Sequence, residues 1–272
     1  NAVYYGLFAG NRTTIMETTR GADGTWSEPR VAPFASDERY NHLEPCLSMD
    51  GNQVYFLSTT PPPGMEPRPG WGHQNIWMAW RLEDGSWSAP EPVGSPVNSD
   101  DGEFFPSLTK DGTLYFTRQP GGNGPGKLYR SRLVDGVFGE PERLPDTVNQ
   151  YKSLYNACIH PDETFLLSCV NGVEDGTTQP GYYAFFRSAD DRWSEAVRLP
   201  ETINFPEQRA ISINMSTDGK WVFFASALAT ETDRDDTRLS VMLELAMQPG
   251  NGRGDIYAIP VDVVHALRPE GF

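Results

Sequence analysis

The chain is 272 residues long and sets 22 Lys and Arg against 37 Asp and Glu, a net charge of −15, with 26 Gly, 23 Pro and 12% aromatic residues. That acidic balance disfavours nucleic acid and anionic membrane surfaces as partners, because both repel a negative protein. No apolar run approaches the roughly 20 residues of a membrane span, so no membrane insertion is expected, and three cysteines are too few for a disulfide scaffold.

The chain opens on Asn1-Ala2-Val3-Tyr4-Tyr5, which matches Asn52-Gln53-Val54-Tyr55-Phe56 further on. In the later copy this segment follows an Asp-Gly turn and reads as a second strand, so the first unit is expected to lack its innermost strand. Four turns then recur, Asp50-Gly51, Asp111-Gly112, Asp162-Glu163 and Asp218-Gly219, with their acids 61, 51 and 56 residues apart. A second landmark, Trp26, Trp87, Phe138 and Trp193, keeps step at 61, 51 and 55. Two landmarks in phase mark a repeat. Periods of this length with several strands per unit read as propeller blades, because one small sheet cannot bury both faces until it stacks on a neighbour.

The middle unit is the plainest. Residues 105–109 form a strand, Lys110-Asp111-Gly112 a tight turn, 113–118 a second strand, 119–126 a Gly/Pro loop, 127–133 a third strand and 137–143 a fourth, giving a four-stranded meander. The neighbouring units repeat it with Val54-Tyr55-Phe56, Ile76-Trp77-Met78 and Trp87; with Phe165-Leu166-Leu167, Tyr183-Ala184-Phe185 and Trp193; and with Val222-Phe223-Phe224 and Asp255-Ile256-Tyr257. Glu163 in place of the turn glycine is expected to strain its hairpin. In the tail, Pro260 and Pro269 bracket a short helix over 261–267. The expected fold is therefore all-β: a five-bladed β-propeller forming one domain over 1–272, with blades near 1–38, 39–98, 99–149, 150–204 and 205–272 and the first blade incomplete at its N-terminus. The recurrent aromatics, including Trp26, Trp87 and Trp193, should pack between blades.

Ser-Met-Asp-Gly-Asn-Gln-Val-Tyr-Phe, Ser-Thr-Asp-Gly-Lys-Trp-Val-Phe-Phe, Gly-Asp-Ile-Tyr and Gly-Ser-Trp-Ser-Ala-Pro resemble the TolB-type, WD-like propeller repeat of bacterial envelope proteins. The resemblance covers nearly the whole chain. It implies the propeller fold and a periplasmic or secreted location, although no signal peptide is recognisable at Asn1. Members include interaction modules and glycan-active proteins, so it does not specify a function.

A blade's first strand lines the central channel. The Asp-Gly turns should therefore collect on one face, and the long loops 59–74, 119–126, 170–181 and 226–254 on the other, where function usually sits. Counting back from each turn acid places His42, Glu103, Leu154 and Ala210 at one level, Glu44, Phe105, Asn156 and Ser212 at a second, and Asn41, Gly102, Ser153 and Arg209 at a third. With Tyr40, Asp101, Lys152 and Tyr155 they make a polar funnel of both charge signs. His42 and His73 could meet Glu44 or Glu103 as an acid/base pair or metal site. No compact ligand spacing such as HExxH exists, and no phosphate loop or dinucleotide fingerprint, so no metal or cofactor is assigned.

Trp71 lies outside the repeat and, with Tyr155, suits stacking on a sugar ring, or packing within its own loop. Leu239, Met242, Leu243 and Ala246 at helical spacing suggest a short helix over the mouth. Cys158 and Cys169 flank the Asp162 hairpin and are either cross-strand partners or two small buried thiols; Cys46 shares the repeat position of Cys158, which favours packing.

Two site-based functions remain open on these residues, beside a third reading as a purely structural partner-binding module. The first is an extracytoplasmic propeller that holds a polar ligand, a glycan or a peptide segment, at the long-loop face through Tyr40, Asn41, Trp71, His73, Asp101, Lys152, Tyr155, Asn156 and Arg209. The second is a carbohydrate-active hydrolase or lyase with Glu44, Glu103 and His42 as catalytic groups, since two carboxyls at suitable separation supply acid and base or nucleophile.

Overall fold

A computed structural model describes residues 2–68, 70–122, 124–174, 179–205, 210–226 and 254–272. Five small antiparallel sheets stand in a ring and form a five-bladed β-propeller. Blade 1 holds β1 (Ala2–Ala9), β2 (Arg12–Thr19) and β3 (Arg30–Val31); blade 2 holds β4 (His42–Leu47), β5 (Gln53–Ser58), β6 (Asn75–Trp80) and β7 (Glu91–Pro92). Blade 3 is β8 (Gly102–Leu108), β9 (Leu114–Gln119), β10 (Lys127–Ser131) and β13 (Glu142–Arg143), with a side hairpin of β11 (Leu133–Val134) and β12 (Val137–Phe138). The one-turn helix α1 (Asp146–Asn149) leads to blade 4, which is β14 (Ser153–Ile159), β15 (Phe165–Asn171), β16 (Gly181–Phe186) and β17 (Val197–Arg198). Blade 5 is β18 (Ile213–Met215), β19 (Trp221–Ser226) and β20 (Asp255–Pro260), and the tail ends in α2 (Asp262–His265), inside the segment expected to be helical.

Blade 1 begins at the second-strand position. Its Arg20 bridges Trp26 as Arg81 bridges Trp87 one unit later, so β1, β2 and β3 stand where β5, β6 and β7 stand in blade 2. The expected fourth strand over 137–143 is split: Val137–Phe138 pairs back on Leu133–Val134, and only Glu142–Arg143 joins the sheet. The helix expected over 239–246 lies outside the described residues.

The turn acids act as local caps. Asp50, Asp111 and Asp218 each accept a hydrogen bond from the backbone N–H two residues on, at 3.0, 3.1 and 3.1 Å, while the following glycine takes φ of 70°, 82° and 70°. Glu163 occupies the same position at φ 59°. That is the expected strain, and its carboxylate is the compensation: Tyr115 Oη donates to Oε1 at 2.5 Å and Arg187 meets Oε2 at 2.8 Å.

Each blade interface is built from one sequence triplet. In Val54-Tyr55-Phe56 the outer two side chains join the blade 1 to blade 2 cluster and the middle one joins the blade 2 to blade 3 cluster, as alternation along a strand requires. Leu114-Tyr115-Phe116 divides the same way. Four apolar clusters join blades 1 through 5 in succession, and among the described residues none joins blade 5 to blade 1. The positions buried elsewhere are accordingly open at this seam, where Val3 is 45% exposed, Phe223 37% and Trp26 52%. The expectation of a core role holds for Trp87 and Trp193 and is corrected for Trp26, because each such Trp packs on the preceding blade and, among the described residues, no apolar cluster forms on that side of blade 1.

Candidate functional site

Three inner strands share a defect. The ladder shifts between Leu43 and Cys46, between Phe104 and Ser107, and between Tyr155 and Cys158. At each shift one non-glycine residue takes a left-handed conformation: Glu44 at φ 58°, Phe105 at 53° and Asn156 at 52°. A bulge of this kind re-aims a side chain at the cost of local strain. Here two of the three reach across to the next blade. Glu44 Oε2 accepts from the Phe105 N–H at 2.7 Å, and Asn156 Nδ2 donates to the Ile211 carbonyl at 2.6 Å.

One turn of the ladder deeper, Cys158 Sγ lies 3.7 Å from Ser107 Oγ and 3.3 Å from Asn214 Oδ1, all at matching repeat positions. Burial pushes the Cys46 and Cys158 thiols up to about 12, so both stay protonated. Cys158 pairs opposite Leu167, not Cys169, and all three cysteines are free, which excludes the cross-strand disulfide alternative.

Glu44 is the chemically distinctive group. Desolvation pushes its carboxyl up to about 7, against the opposing effect of the Phe105 N–H, and Oε1 has no hydrogen-bond partner among the described residues. The carboxyl is thus poised to accept a proton or a donor near neutral pH. Because its folded pKa is raised, the fold favours the protonated form; the associated stability is fully present below pH 4.5 and is lost as pH rises from there through about 7. At about 1.4 kcal/mol per pKa unit the loss is roughly 3–4 kcal/mol. The loss of stability between pH 5 and pH 8.5, read as a lower urea midpoint, is therefore expected to be smaller in Glu44→Gln than in the unsubstituted protein.

The other anticipated site residues do not converge. His42 and Glu103 point between blades, not into the channel, with 3% and 0% of their surfaces exposed. Glu103 is committed on both oxygens: Arg118 Nε donates to Oε1 at 2.9 Å, Ser99 Oγ to Oε1 at 2.5 Å and Ser99 N–H to Oε2 at 3.1 Å. This carboxylate knits β8 to β9 and caps the preceding loop. His73 is buried in its own loop, with Nε2 2.8 Å from the Glu66 carbonyl.

Asn41 accepts from the Thr13 N–H at 3.0 Å and so ties blade 2 to blade 1. Tyr155 donates to the Ala210 carbonyl at 2.7 Å and fastens blade 4 to blade 5. Asp101 holds the Gly121 N–H at 2.9 Å and pins the loop after β9. Tyr40 is half-buried beneath the Arg39 guanidinium at 5.3 Å, whereas Trp71 and Lys152 are exposed. Arg209 lies outside the described residues. Among the described residues anticipated for the site, those with spare hydrogen-bonding or stacking capacity include Glu44, Tyr40, Trp71, Lys152 and the Oδ1 of Asn156.

No protein-family model matches the sequence, and no curated protein matches it significantly. Among solved structures, the chain is similar to an α-L-arabinanase of Penicillium chrysogenum complexed with arabinobiose, at 13% identity over 96% of this chain and 71% of that one, with a TM-score of 0.50. It is also similar to TolB from Acinetobacter baumannii, at 18% identity over 82% of this chain with a TM-score of 0.49, and spans 46% of that chain's length. A prolyl endopeptidase matches at 16% identity over 83% of this chain and 29% of its own, with a TM-score of 0.40. At these identities the likeness is one of fold.

Proposed function

We propose that the chain is a single-domain, extracytoplasmic binding propeller that holds a polar ligand, a glycan or a peptide segment, at the long-loop mouth of its channel. The observation that carries this is Glu44: a carboxyl held in a left-handed bulge, largely buried, with one oxygen fixed by the Phe105 N–H and the other free among the described residues. A fold tolerates such strain and desolvation where a site needs the group. On this reading Tyr40 and Trp71 supply stacking surface and Lys152 a cation at the same long-loop end. A glycan draws further support from the arabinanase complexed with arabinobiose, which shares the fold; the periplasmic or secreted location rests on the resemblance of the repeats to TolB-type propellers.

The carbohydrate-active reading keeps one supporting observation, the Glu44 carboxyl poised near pH 7. It lacks the second carboxyl it was expected to use, since Glu103 is consumed by Arg118 and Ser99. Glycan-array and peptide-array binding followed by titration of the best hit tests both. Glu44→Gln should weaken the hit at least tenfold without lowering the thermal midpoint. Product release from a hydrolysable glycan, lost in the same variant, would favour the enzyme. Unchanged affinity in Glu44→Gln, with the ligand crosslinked at the turns of Asp50 and Asp111, would place the site on the wrong face.

A further inference from the structure

Blade 1 presents an open sheet edge. Its β1 pairs only with β2, and the register fixes which way its backbone groups point. On β2 the Thr13 N–H goes to Asn41 Oδ1 and the Ile15 carbonyl accepts from the Ala32 N–H, so neither turns to β1. In an antiparallel pair the residues opposite such positions direct their own N–H and C=O to the far side as well. Tyr4, Gly6 and Phe8, opposite Glu17, Ile15 and Thr13, therefore aim both groups off the open edge, and their backbone groups have no hydrogen-bond partner among the described residues.

The other blades show what such an edge holds. All four inner strands carry a small polar residue followed by an apolar one: Cys46-Leu47, Ser107-Leu108, Cys158-Ile159 and Asn214-Met215. The polar residue pairs with Tyr55, Tyr115, Leu167 or Phe223, the position that Tyr4 occupies in blade 1. Across the first three junctions its side chain accepts the N–H of the apolar residue on the next blade: Leu108 to Cys46, Ile159 to Ser107 at 2.9 Å, and Met215 to Cys158. The apolar residue packs into the interface with the preceding blade. Around blade 1 both receptors for this pair of residues stand unused. The Ser48 N–H donates to the Gln53 carbonyl, so the adjacent Leu47 N–H turns away from β5, and it has no partner among the described residues. On the seam side, Val3 and Leu7 are exposed.

We propose that β1 takes an extended segment of a partner polypeptide as an antiparallel neighbour, with a small polar residue opposite Tyr4 to accept the Leu47 N–H and an apolar residue opposite Val3 to cover the seam. Main-chain hydrogen bonds hold such a strand, and alternate side chains select it. The strand would continue the ring of β4, β8, β14 and β18. The place suits one strand and not a second propeller, because β4 runs close beside it: a Cβ on Gly6 would stand 3.2 Å from Leu43 Cδ2. The inference uses none of the side chains proposed for the mouth and goes beyond that function.

The test titrates the ¹⁵N-labelled protein with the synthetic peptide Gly-Glu-Phe-Phe-Pro-Ser-Leu-Thr, a copy of residues 102–109. The expected result is a saturable shift of the Tyr4, Gly6 and Leu47 amide resonances, with hydrogen exchange slowed at least tenfold at Tyr4 and Gly6. Methylating the peptide's serine nitrogen, the donor to the Tyr4 carbonyl, should weaken binding at least tenfold, and so should replacing its leucine by aspartate. These comparisons use the unsubstituted protein and do not depend on a variant folding. Placing a copy of residues 42–51 ahead of Asn1 supplies the strand and its turn within the chain and should abolish peptide binding. No saturable shift, equal binding of the methylated peptide, or unchanged binding by the extended chain would each overturn the proposal. So would a dimer in sedimentation whose Tyr4 and Gly6 amides are protected without peptide, since the edge would then belong to a second copy.

Discussion

Arg130→Ala is expected to lower the free energy of unfolding by about 2–4 kcal/mol, the cost of stripping the buried central cation from a charge cluster whose direct partners are partly open to solvent. Arg130 is 8% exposed and sits between blades 3 and 4. It meets Asp191 through two nitrogens at 3.0 and 2.7 Å and Glu142 at 2.9 Å, while Arg187 bridges the same Asp191 at 2.6 Å and Glu163 at 2.8 Å. Removing the guanidinium leaves three carboxylates, Asp191, Glu142 and Glu163, to share the two remaining cations, Arg187 and Arg132. Arg130→Met should recover only the packing share of the loss. The pH dependence has a definite sign. Hydrogen bonds from Arg130 and then Arg187 hold the Asp191 carboxyl well below the usual range, so its contribution is present above pH 3.8 and is lost as pH falls further. Urea denaturation at pH 7 and pH 3 should show a smaller acid loss in Arg130→Ala than in the unsubstituted protein. A penalty under 1 kcal/mol at pH 7 would mean that the cluster is replaceable by solvent.

Trp193→Ala is expected to cost a similar roughly 3–5 kcal/mol, from lost burial and the cavity left behind. The indole is 3% exposed, lies edge-on to Tyr115 at 6.4 Å, and joins the cluster that binds blade 4 to blade 3. Trp71→Ala should cost less than about 1 kcal/mol, as for most exposed substitutions, since the ring is 42% exposed in a loop outside the repeat. Equal chemical-denaturation midpoints for the two variants would refute this division between blade core and loop.

The periodic part of the molecule was readable before any coordinates. Turn acids and the Trp landmark locate hairpins because their chemistry is local: an aspartate capping its own turn, a glycine at positive φ, an aromatic at a fixed place on a pleated strand. The direction of the inner-strand side chains was not readable. Counting residues from the turn assumes strict alternation, and a one-residue bulge at Glu44, Phe105 and Asn156 breaks it. That shift is why His42 and Glu103 face the blade interfaces and not the channel. Nothing at these three positions announces a left-handed backbone, since none is glycine. Glu163 was the legible exception, because it replaces glycine in an otherwise repeated turn. The Arg130 cluster was missed for a different reason: its members come from separate blades, and their meeting depends on how the blades stack.

The open seam gives a circular architecture two ends. In a closed ring every blade has two neighbours, and removing any one exposes two faces. Here blades 2, 3 and 4 are each clamped on both sides, whereas blades 1 and 5 are each held by one apolar cluster among the described residues. Stability in such an array is approximately a sum over nearest-neighbour contacts, so partial opening is cheapest at the termini and dearest at blade 3. The groups proposed for the mouth, Tyr40, Glu44, Trp71 and Lys152, stand on blades 2 and 4, with the Phe105 N–H of blade 3 fixing Glu44 between them. The mouth thus stays assembled through fluctuations that fray the first and last blades.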